Sequence, residues 1–586
     1  MKYAIVATNY KNHRVSLTDS HVRLFDMTMI NAQNWNEIQP HFQRLEAQTL
    51  DADNVETWLQ EWSDLEARFY EAYSRAYRAK MEDTTNPAFE ANFVHLLENV
   101  LPPVSIAANS LKQKLLAFTT YQPSSQTLEF LKRIRAEATI FRDENVPLFT
   151  ELGKLGVEYD KIVGALEIEL DNQKMTFYAA FAKLESLNRD YREQVFQLMV
   201  KNWSLVRGEL DDIFLKMLPI RRQIAKNAGF ENYREYVWLE KARFDYTPKD
   251  ALGLDQIIFE NIVPIANKLF ESRRQRLGLQ SVKPWDIYTA SDGLEALKPF
   301  TTVEELETKI SRMFHALDAE LGAQFDSLRA QDLDLDSRAG KGPGGYCDFF
   351  PFSGKAYIFM NAVGIQDDVQ TMLHEGGHAF HALESYQHQR LHWNFHGPME
   401  FCEVASMGME LLASPYLETE KGGFYSAEDA RRARVMHLRG SGVLFLPYMA
   451  VVDAFQHWLY ADAPVGVSIA EIHAKWAQLH KIFLPSIDFE GIEDALSMRW
   501  HLQSHIFTAP FYYIEYGIAQ LGALQIWKHS LEKPQETVKQ YRSALGLGYT
   551  KGLAQLFEAA GIRLPFDSEL VKDLMKLVSQ HLELAT

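Results

Sequence analysis

The chain has 586 residues, of which 47% are hydrophobic and 24% are charged, and these proportions exclude disordered and collagen-like proteins. With 60 Lys and Arg against 78 Asp and Glu, the formal net charge is −18. An acidic surface repels phosphate backbones and anionic lipid, so we expect neither nucleic acid nor a membrane as a partner.

Cysteine content and the first residues both bear on the location of the protein. The two cysteines, Cys347 and Cys402, are too few for a disulfide framework, which favours a reducing compartment. The short apolar run at the N-terminus is broken by Asn9 and Lys11, and no run of 18 apolar residues could cross a bilayer. We therefore expect a cytoplasmic protein.

Most of the chain has the pattern of amphipathic helices, with apolar residues three and four positions apart between charged ones. In chain order, the pattern predicts helices over residues 58–79, 89–101, 126–141, 175–187, 191–226, 251–276, 303–321, 427–460, 469–483 and 570–584. Thr247 and Pro248 are typical of a helix start, as capping residue and first helical residue. These patterns predict a mainly α fold.

One segment departs from the helical pattern and precedes the main motif. Residues 344–361 combine aromatic runs with glycines, which predicts two short strands, 346–350 and 356–361, joined by a turn. An ordinary hairpin that covers the core would have the same pattern.

A helix pattern at 367–384 contains His374-Glu375-Gly-Gly-His378. Two histidines four residues apart project from one helical face and can share a tetrahedral ion, with Glu375 beside the bound water and not on the metal. His-Glu-x-x-His arises by chance in roughly one such chain in twenty, so a helix whose histidines bind no metal is the alternative.

Two further features favour the metal site. Gly376 and Gly377 lie within the predicted helix, where each costs about 1 kcal/mol relative to alanine, which indicates close approach of a backbone or a substrate. A catalytic zinc site also needs a third protein ligand. The next helical segment provides Glu400, Glu403 and Glu410, and the last two share a partly apolar face, where a carboxylate needs a cation.

The segments 374–381 and 395–406 closely resemble the thimet oligopeptidase and oligoendopeptidase F family of zinc peptidases. In that family the third ligand is a glutamate 25 residues beyond the second histidine, which selects Glu403. The resemblance covers roughly residues 205–586 and is weaker in the N-terminal part. It implies a two-lobed helical zincin metallopeptidase with a deep substrate channel and a small sheet near the active site.

The same resemblance suggests a division of the chain into three parts. We expect an N-terminal extension over 1–26, an N-terminal helical lobe over 27–204 and a catalytic zinc metallopeptidase domain over 205–586. The oligomeric state leaves no clear mark on the sequence.

The glycine-rich loop and the strand after it resemble the family's substrate-binding elements. In the family, an edge strand pairs with an extended substrate, and such pairing gives affinity with little side-chain selectivity. The resemblance therefore implies that residues 356–361 form the edge strand. It also implies substrate contacts at Gly344, Gly345, Tyr346, Tyr357 and Phe359.

Residues 505–517 resemble the family's segment of histidine and tyrosines, whose donors face the scissile carbonyl. A tyrosine O–H aimed at the developing oxyanion contributes a few kcal/mol. By resemblance we expect His505, Tyr513 and Tyr516 to be catalytic, since the last two have the i, i+3 spacing of the family pair. Without the family, an aromatic core face explains the cluster equally well.

This segment departs from the family pattern in two ways. Pro510 and Phe511 replace a glycine-rich stretch, and the spacing from histidine to tyrosine is one residue shorter. Tyr512 therefore competes with Tyr513 and Tyr516 for the catalytic role. Two neighbours of the motif are not expected to bind the metal. His381 either supports the metal site from behind or packs in the core, and Cys402 is a small buried residue.

These observations predict a hydrolase of peptide catabolism with one Zn2+ ion held by His374, His378 and Glu403. As a metalloendopeptidase, it would hydrolyse internal peptide bonds with a zinc-activated water and Glu375 as general base. The resemblance implies that its substrates are short unfolded peptides. Three alternatives remain: a zinc metallocarboxypeptidase on a similar scaffold, a catalytically silent peptide-binding protein, and a structural zinc site.

Overall fold

The computed structural model describes residues 31–170, 172–290 and 292–584, and the observations below concern these residues. They form 24 α-helices and five strands, which confirms the mainly α fold. The predicted extension at 1–26 lies outside the described residues, as do residues 27–30 of the predicted N-terminal lobe.

The first helices enclose an aromatic core of their own. They are α1 (Trp35–Ala47), α2 (Val55–Glu82), α3 (Pro87–His95), α4 (Leu101–Ala117), α5 (Leu128–Ile140) and α6 (Val146–Gly164). The ring of Trp62 on α2 lies 5.8 Å from that of Phe130 on α5, and both are buried. The helix predicted over 58–79 is α2, because its apolar stripe faces this core.

A short hairpin interrupts the helices. The strands β1 (Glu167–Leu170) and β2 (Gln173–Thr176) pair antiparallel, and Asn172 between them has a left-handed φ of 59°. The helix predicted over 175–187 was therefore too long, since α7 covers Phe177–Lys183 and starts where the Thr176 side chain caps it.

The next helices are α8 (Arg189–Asn227), α9 (Tyr233–Glu240), α10 (Pro248–Asn261), α11 (Val263–Arg276), α12 (Val303–Leu317) and α13 (Ala319–Arg329). Thr247 and Asp250 form a capping box that starts α10, which confirms the predicted start. The helix predicted over 251–276 divides near Pro264, which has no N–H for the helical ladder. The predicted boundary after residue 204 falls inside α8.

A three-stranded sheet precedes the metal motif. Its strands are β3 (Leu333–Asp336), β4 (Tyr346–Phe350) and β5 (Lys355–Ala362), in the order β3-β5-β4. The prediction that residues 356–361 form an edge strand was wrong, because β3 pairs in parallel with the second side of β5. The two edge strands of the sheet are β3 and β4.

The remaining helices follow the sheet and complete the fold. They are α14 (Gln366–His388), α15 (Met399–Ala413), α16 (Ala427–Arg439), α17 (Phe445–His457), α18 (Ile469–Phe483), α19 (Glu493–Ser497), α20 (Ser504–Thr508), α21 (Tyr513–Glu532), α22 (Pro534–Leu545), α23 (Leu553–Ala559) and α24 (Ser568–His581). Helix α15 is buried from Glu400 to its end and packs between α14 and α21.

The segment Ala427–Asp462, which contains α16 and α17, is long and apolar enough to cross a membrane by length and composition alone. Half of its most apolar window is buried inside the protein, as in the core helix of a larger helical domain. It is weak evidence for a membrane span.

Candidate active site

Helix α14 carries the first two candidate metal ligands. The backbone N–H groups of Val363, Gly364 and Ile365 donate to Asp368 Oδ2 at 2.7 to 3.0 Å, which fixes the start of the helix. Further along, His374 and His378 lie on one face with ring centroids 4.9 Å apart.

The two glycines of the motif allow α14 to pack tightly. A Cβ atom on Gly377 would lie 2.5 Å from the carbonyl oxygen of Ala405 and 2.6 Å from Ser406 Cα, so only glycine permits this contact with α15. A Cβ atom on Gly376 would lie 2.8 Å from the ring of Phe314. The predicted close approach is confirmed, and its partners are a neighbouring backbone and an aromatic ring.

The contact with α15 brings Glu403 to the two histidines. Glu403 Oε2 lies 3.4 Å from His374 Nε2 and 3.5 Å from His378 Nε2. Two ligand atoms at about 2.1 Å from a tetrahedral zinc ion are about 3.4 Å apart, so this donor set fits one ion. Each imidazole is 20% exposed while the Glu403 carboxylate is 3% exposed, which leaves the histidine side accessible.

A second carboxylate supports the first histidine. Glu410, two helical turns after Glu403 on α15, has Oε1 2.7 Å from His374 Nδ1. This contact occupies Nδ1 and leaves Nε2 free for an ion. The other oxygen, Oε2, lies 3.4 Å from His437 Nε2 on α16. The shared face of Glu403 and Glu410 was predicted, but this division of roles was not.

The side chain of Glu375 has the features of a general base. It is buried, and its Oε2 has no hydrogen-bond partner among the described residues. Burial raises the pKa of Glu375 above its usual value, although His374 and His378 oppose the shift. A Cβ atom on Gly345 would lie 3.9 Å from Glu375 Oε1, so the carboxylate borders the glycine-rich loop.

The structure brings two of the three tyrosines to the cluster. The Tyr512 hydroxyl donates to Glu403 Oε1 at 2.6 Å, and the Tyr516 hydroxyl lies 3.1 Å from His505 Nε2. The Tyr513 hydroxyl instead bonds to the side chain of Gln503, away from the candidate ligands. Tyr512, the competitor in the sequence interpretation, is therefore the residue that contacts a candidate ligand.

Hydrogen bonds around Gln503 define the tautomer of His505. Gln503 Oε1 accepts from Tyr448, and Gln503 Nε2 donates to His505 Nδ1 at 2.9 Å. Burial lowers the pKa of His505 to about 4, so the ring is neutral near pH 7. Its proton then lies on Nε2 and is donated to the Tyr516 oxygen, which leaves the Tyr516 O–H free to donate to a substrate.

An unusual turn positions Tyr512. Phe511 has a left-handed φ of 59°, a conformation that costs a non-glycine residue about 1–2 kcal/mol. Its N–H donates to Gln456 Oε1 at 2.7 Å, and its carbonyl accepts from Arg243 Nη2 at 2.6 Å. Arg243 also donates to Glu515 Oε1 at 2.7 Å. These bonds offset the strain of the Phe511 conformation. They fix the segment in which Pro510 and Phe511 replace the family's glycine-rich stretch.

The cluster borders a large cleft. Two cavities of about 980 and 800 Å³ share lining residues, among them Ser74 and Asp348, and so form one continuous space. Gly344, Gly345, Tyr346 and His505 line the larger cavity. Since β4 contributes both Tyr346 and Asp348, its free edge runs along the cleft.

Two predicted substrate contacts lie elsewhere. Tyr357 and Phe359 on β5 are fully buried and pack with Met81 and Phe350 beneath the sheet. The side chains of a strand alternate between its two faces, and these two point towards α2 and not into the cleft. Neither side chain lines the cleft, although the Phe359 ring stacks on the ring of Tyr346 with centroids 4.9 Å apart.

His381 and Cys402, the two neighbours of the metal motif, both lie in packed, buried surroundings. His381 packs edge-on against Phe401 at 5.8 Å, and its Nε2 has no hydrogen-bond partner among the described residues, which favours a packing role. Cys402 is buried, with Sγ 3.5 Å from the Gly397 carbonyl oxygen. Burial raises the pKa of this thiol, as in an unreactive cysteine.

Comparisons with known proteins agree with this geometry. The family model of peptidase family M3 matches residues 182–576. An oligoendopeptidase F homolog from Borreliella burgdorferi is 21% identical over 450 residues, which cover 74% of this chain and 73% of that protein. Oligopeptidase PepF from Bacillus subtilis is 21% identical over 468 residues, covering 76% of this chain and 64% of that protein.

Solved structures resemble the chain over nearly its whole length. PZ peptidase A, solved with an inhibitor, has a TM-score of 0.88 at 26% identity and covers 94% of this chain and 98% of its own. A structure provisionally assigned as oligoendopeptidase F has a TM-score of 0.89 at 25% identity and covers 94% of this chain and 97% of its own.

Proposed function

The chain belongs to peptidase family M3, and on that premise we propose that it is a zinc metalloendopeptidase that hydrolyses internal bonds of short unfolded peptides. One observation carries the proposal. The Nε2 atoms of His374 and His378 lie 3.4 and 3.5 Å from Glu403 Oε2, beside the unpartnered carboxylate oxygen of Glu375. That arrangement suits one ion and an adjacent base.

The chemistry follows from the positions of the side chains. His374, His378 and Glu403 would hold the ion, which would supply Lewis acidity toward the scissile carbonyl and a bound water molecule. Glu375 removes a proton from the attacking water and delivers it to the leaving amine, a task that a raised pKa suits. Tyr512 donates to Glu403 Oε1, which keeps Oε2 directed at the imidazoles.

Stabilisation of the oxyanion falls to Tyr516. His505 donates its Nε2 proton to the Tyr516 oxygen, so the phenol can use its own proton for the substrate. A donor at the developing oxyanion contributes about 3–4 kcal/mol in known hydrolases. Tyr513 has an indirect role. Its hydroxyl bonds to Gln503, and Gln503 in turn orients His505.

The free edge of β4 suits an extended peptide. Its backbone groups can pair with any peptide by strand addition, and Gly344 and Gly345 leave room for the substrate backbone beside Glu375. An extended, unfolded peptide exposes the backbone groups that such pairing needs along its whole length. The names oligoendopeptidase and oligopeptidase of the relatives support the same substrate class.

We also propose a cytoplasmic enzyme of peptide catabolism. Both cysteines are free thiols, as a reducing compartment allows. Measuring activity in the soluble fraction of the source cells, with and without a thiol oxidant, tests this location.

The proposed function is tested with an internally quenched peptide of about ten residues, blocked at both ends, and protein of known zinc content. Cleavage that disappears on chelation and returns with zinc is expected. Bound zinc with cleavage only of a peptide with a free C-terminus would instead identify a carboxypeptidase. Bound zinc and tight peptide binding without any cleavage would identify a peptide-binding protein.

A further inference from the structure

A separate cavity of about 490 Å³ shares none of its lining residues with the substrate cleft. It lies where α15 and α16 meet the ends of α21 and α24, and we call it the Arg434 cavity. A cavity of this size accommodates a molecule as large as an acylated amino acid. Neither the proposed reaction nor the metal centre uses it.

The walls of the Arg434 cavity combine apolar and cationic side chains. Leu411, Leu438 and Trp527 supply buried apolar surface. Three cationic side chains face two anionic ones in the lining: Lys421, Arg431 and Arg434 against Glu418 and Glu583. A cationic excess is unusual on a chain with a net charge of −18, and it favours an anionic ligand.

Arg434 retains donors for such a ligand. Its Nη1 lies 3.4 Å from Glu418 Oε1 and 3.5 Å from the Ser414 carbonyl oxygen, which are long contacts for a guanidinium. Arg431 pairs with Glu583, and 62% of its side chain is exposed. Arg434 is the less exposed of the two, at 28%, and is therefore the better anchor for a carboxylate.

An unpartnered polar side chain lies in the same lining. Gln370 on α14 is 8% exposed, and neither its Oε1 nor its Nε2 has a hydrogen-bond partner among the described residues. Buried amides are almost always hydrogen-bonded in native proteins, so this amide retains unused hydrogen-bonding capacity at the cavity wall.

The cavity also connects to the metal centre. His437 belongs to its lining, and His437 Nε2 lies 3.4 Å from Glu410 Oε2. Glu410 in turn holds His374 Nδ1 at 2.7 Å. A ligand that moves His437 therefore changes the support of a candidate metal ligand, and such coupling acts in both directions.

We propose that the Arg434 cavity binds a small carboxylate with an apolar side chain, and that this binding changes the zinc affinity of the metal centre. The carboxylate bonds to Arg434, and the apolar group packs on Trp527. Binding does not depend on the proposed function. The coupling depends only on a metal ion at His374, whether or not the protein cleaves peptides.

Binding is tested by titration calorimetry of the full chain with N-acetyl-L-leucine and with its uncharged amide, in a buffer without carboxylate or phosphate. The acid is expected to bind at least about tenfold more tightly than the amide. R434Q is expected to weaken binding of the acid about tenfold, and R431Q is expected to weaken it less. R432Q is the control, because the Arg432 guanidinium pairs with Asp292 outside the lining, and it should leave the affinity for the acid unchanged.

Equal binding of the acid to wild type and R434Q would overturn the site, because a molecule in the substrate cleft does not contact Arg434. No binding of either compound to any variant would overturn it too. Circular dichroism melts of the variants separate a lost fold from a lost ligand.

The coupling is tested by competition for zinc with 1,10-phenanthroline, which carries no carboxylate. Saturating N-acetyl-L-leucine is expected to change the zinc affinity of wild type at least about threefold and to leave R434Q unaffected. Arg434-dependent binding with unchanged zinc affinity would overturn the coupling. Failure of the blocked peptide to be cleaved, with binding and coupling intact, would count against the proposed function alone.

Discussion

Two clusters of the described chain each bring two histidines and a carboxylate within 4.8 Å: His374, His378 and Glu403, and Asp211, His473 and His501. In the first, the carboxylate lies 3.4 and 3.5 Å from the ring nitrogens. In the second, these distances are 2.8 and 3.1 Å. The first spacing leaves room for an ion, whereas the second is that of direct hydrogen bonds. Residue types alone do not identify a metal centre.

The surroundings of Asp211 also favour a hydrogen-bond network over a metal site. Arg207 Nε lies 3.8 Å from Asp211 Oδ2, so a cation already balances that carboxylate. Burial lowers the pKa of His501. Burial alone would raise the pKa of Asp211, but hydrogen bonds and charge interactions with His473 and His501 outweigh it and lower that pKa to about 2. Near neutral pH an ionised aspartate thus accepts from the neutral ring of His501. We interpret this cluster as a structural hydrogen-bond network.

The largest expected effect separates the clusters directly. H378Q removes a ligand, so zinc content should fall from about one ion per chain to nearly none, and peptide hydrolysis should fall at least about 1000-fold. The matched variant H473Q should keep its zinc and most of its activity. Metal analysis and peptide assays on both variants measure this. Loss of zinc from H473Q would remove the distinction between the clusters.

The next effect concerns a residue that only the first cluster has. E375Q preserves the shape of the side chain but removes its basicity, so kcat should fall about 100- to 10,000-fold with zinc content unchanged. The measurement is steady-state cleavage of the blocked peptide alongside metal analysis. Turnover at the wild-type rate would show that another group is the base.

The tyrosines sharpen the description of the first cluster. Y516F removes the proposed oxyanion donor and should lower kcat about 100-fold with little change in KM. Y513F, the matched control, removes a hydroxyl that bonds to Gln503 and should lower kcat about tenfold or less. Equal losses in the two variants would contradict the assignment of Tyr516 as the donor.

The smallest effect belongs to the second cluster. D211N should lower the free energy of unfolding by about 1–3 kcal/mol at pH 7 without changing zinc content. The folded-state pKa of Asp211, about 2, is below its unfolded value of about 3.9. Its contribution is therefore complete above pH 4 and is lost as the pH falls through 2.

Urea unfolding of wild type and D211N across this pH range measures the effect. The stability difference between the two proteins should narrow between pH 4 and 2. A difference that stays constant down to pH 2 would contradict the ionised pairing of Asp211 with His473 and His501.

Local patterns allowed much of the site to be predicted. Helical periodicity predicts that His374 and His378 share a face. Close packing at Gly377 is predicted because glycine destabilises a helix interior and so needs another reason to be there. The choice of Glu403 needed a family spacing, because the relative position of α14 and α15 is a tertiary property.

The remaining features depend on contacts between distant parts of the chain. The edge strand was misassigned because β3, a four-residue strand, shows no strong pattern and pairs in parallel from outside the motif. The orientation of Tyr512 depends on the φ of Phe511, which bonds to Arg243 and Gln456 hold in place. No local pattern around Tyr512 reports either partner, since both are more than fifty residues away.

The contact at Gly377 has a consequence for the choice of metal. Because two backbones meet there, the spacing of the ligands is a property of helix packing and is established when the chain folds. A preorganised site loses little entropy on loading and has little freedom to adapt to one ion in preference to another. Occupancy among zinc, cobalt and manganese then depends on how well each ion accepts this fixed geometry and on cellular supply, and less on the intrinsic affinities of the Irving–Williams order.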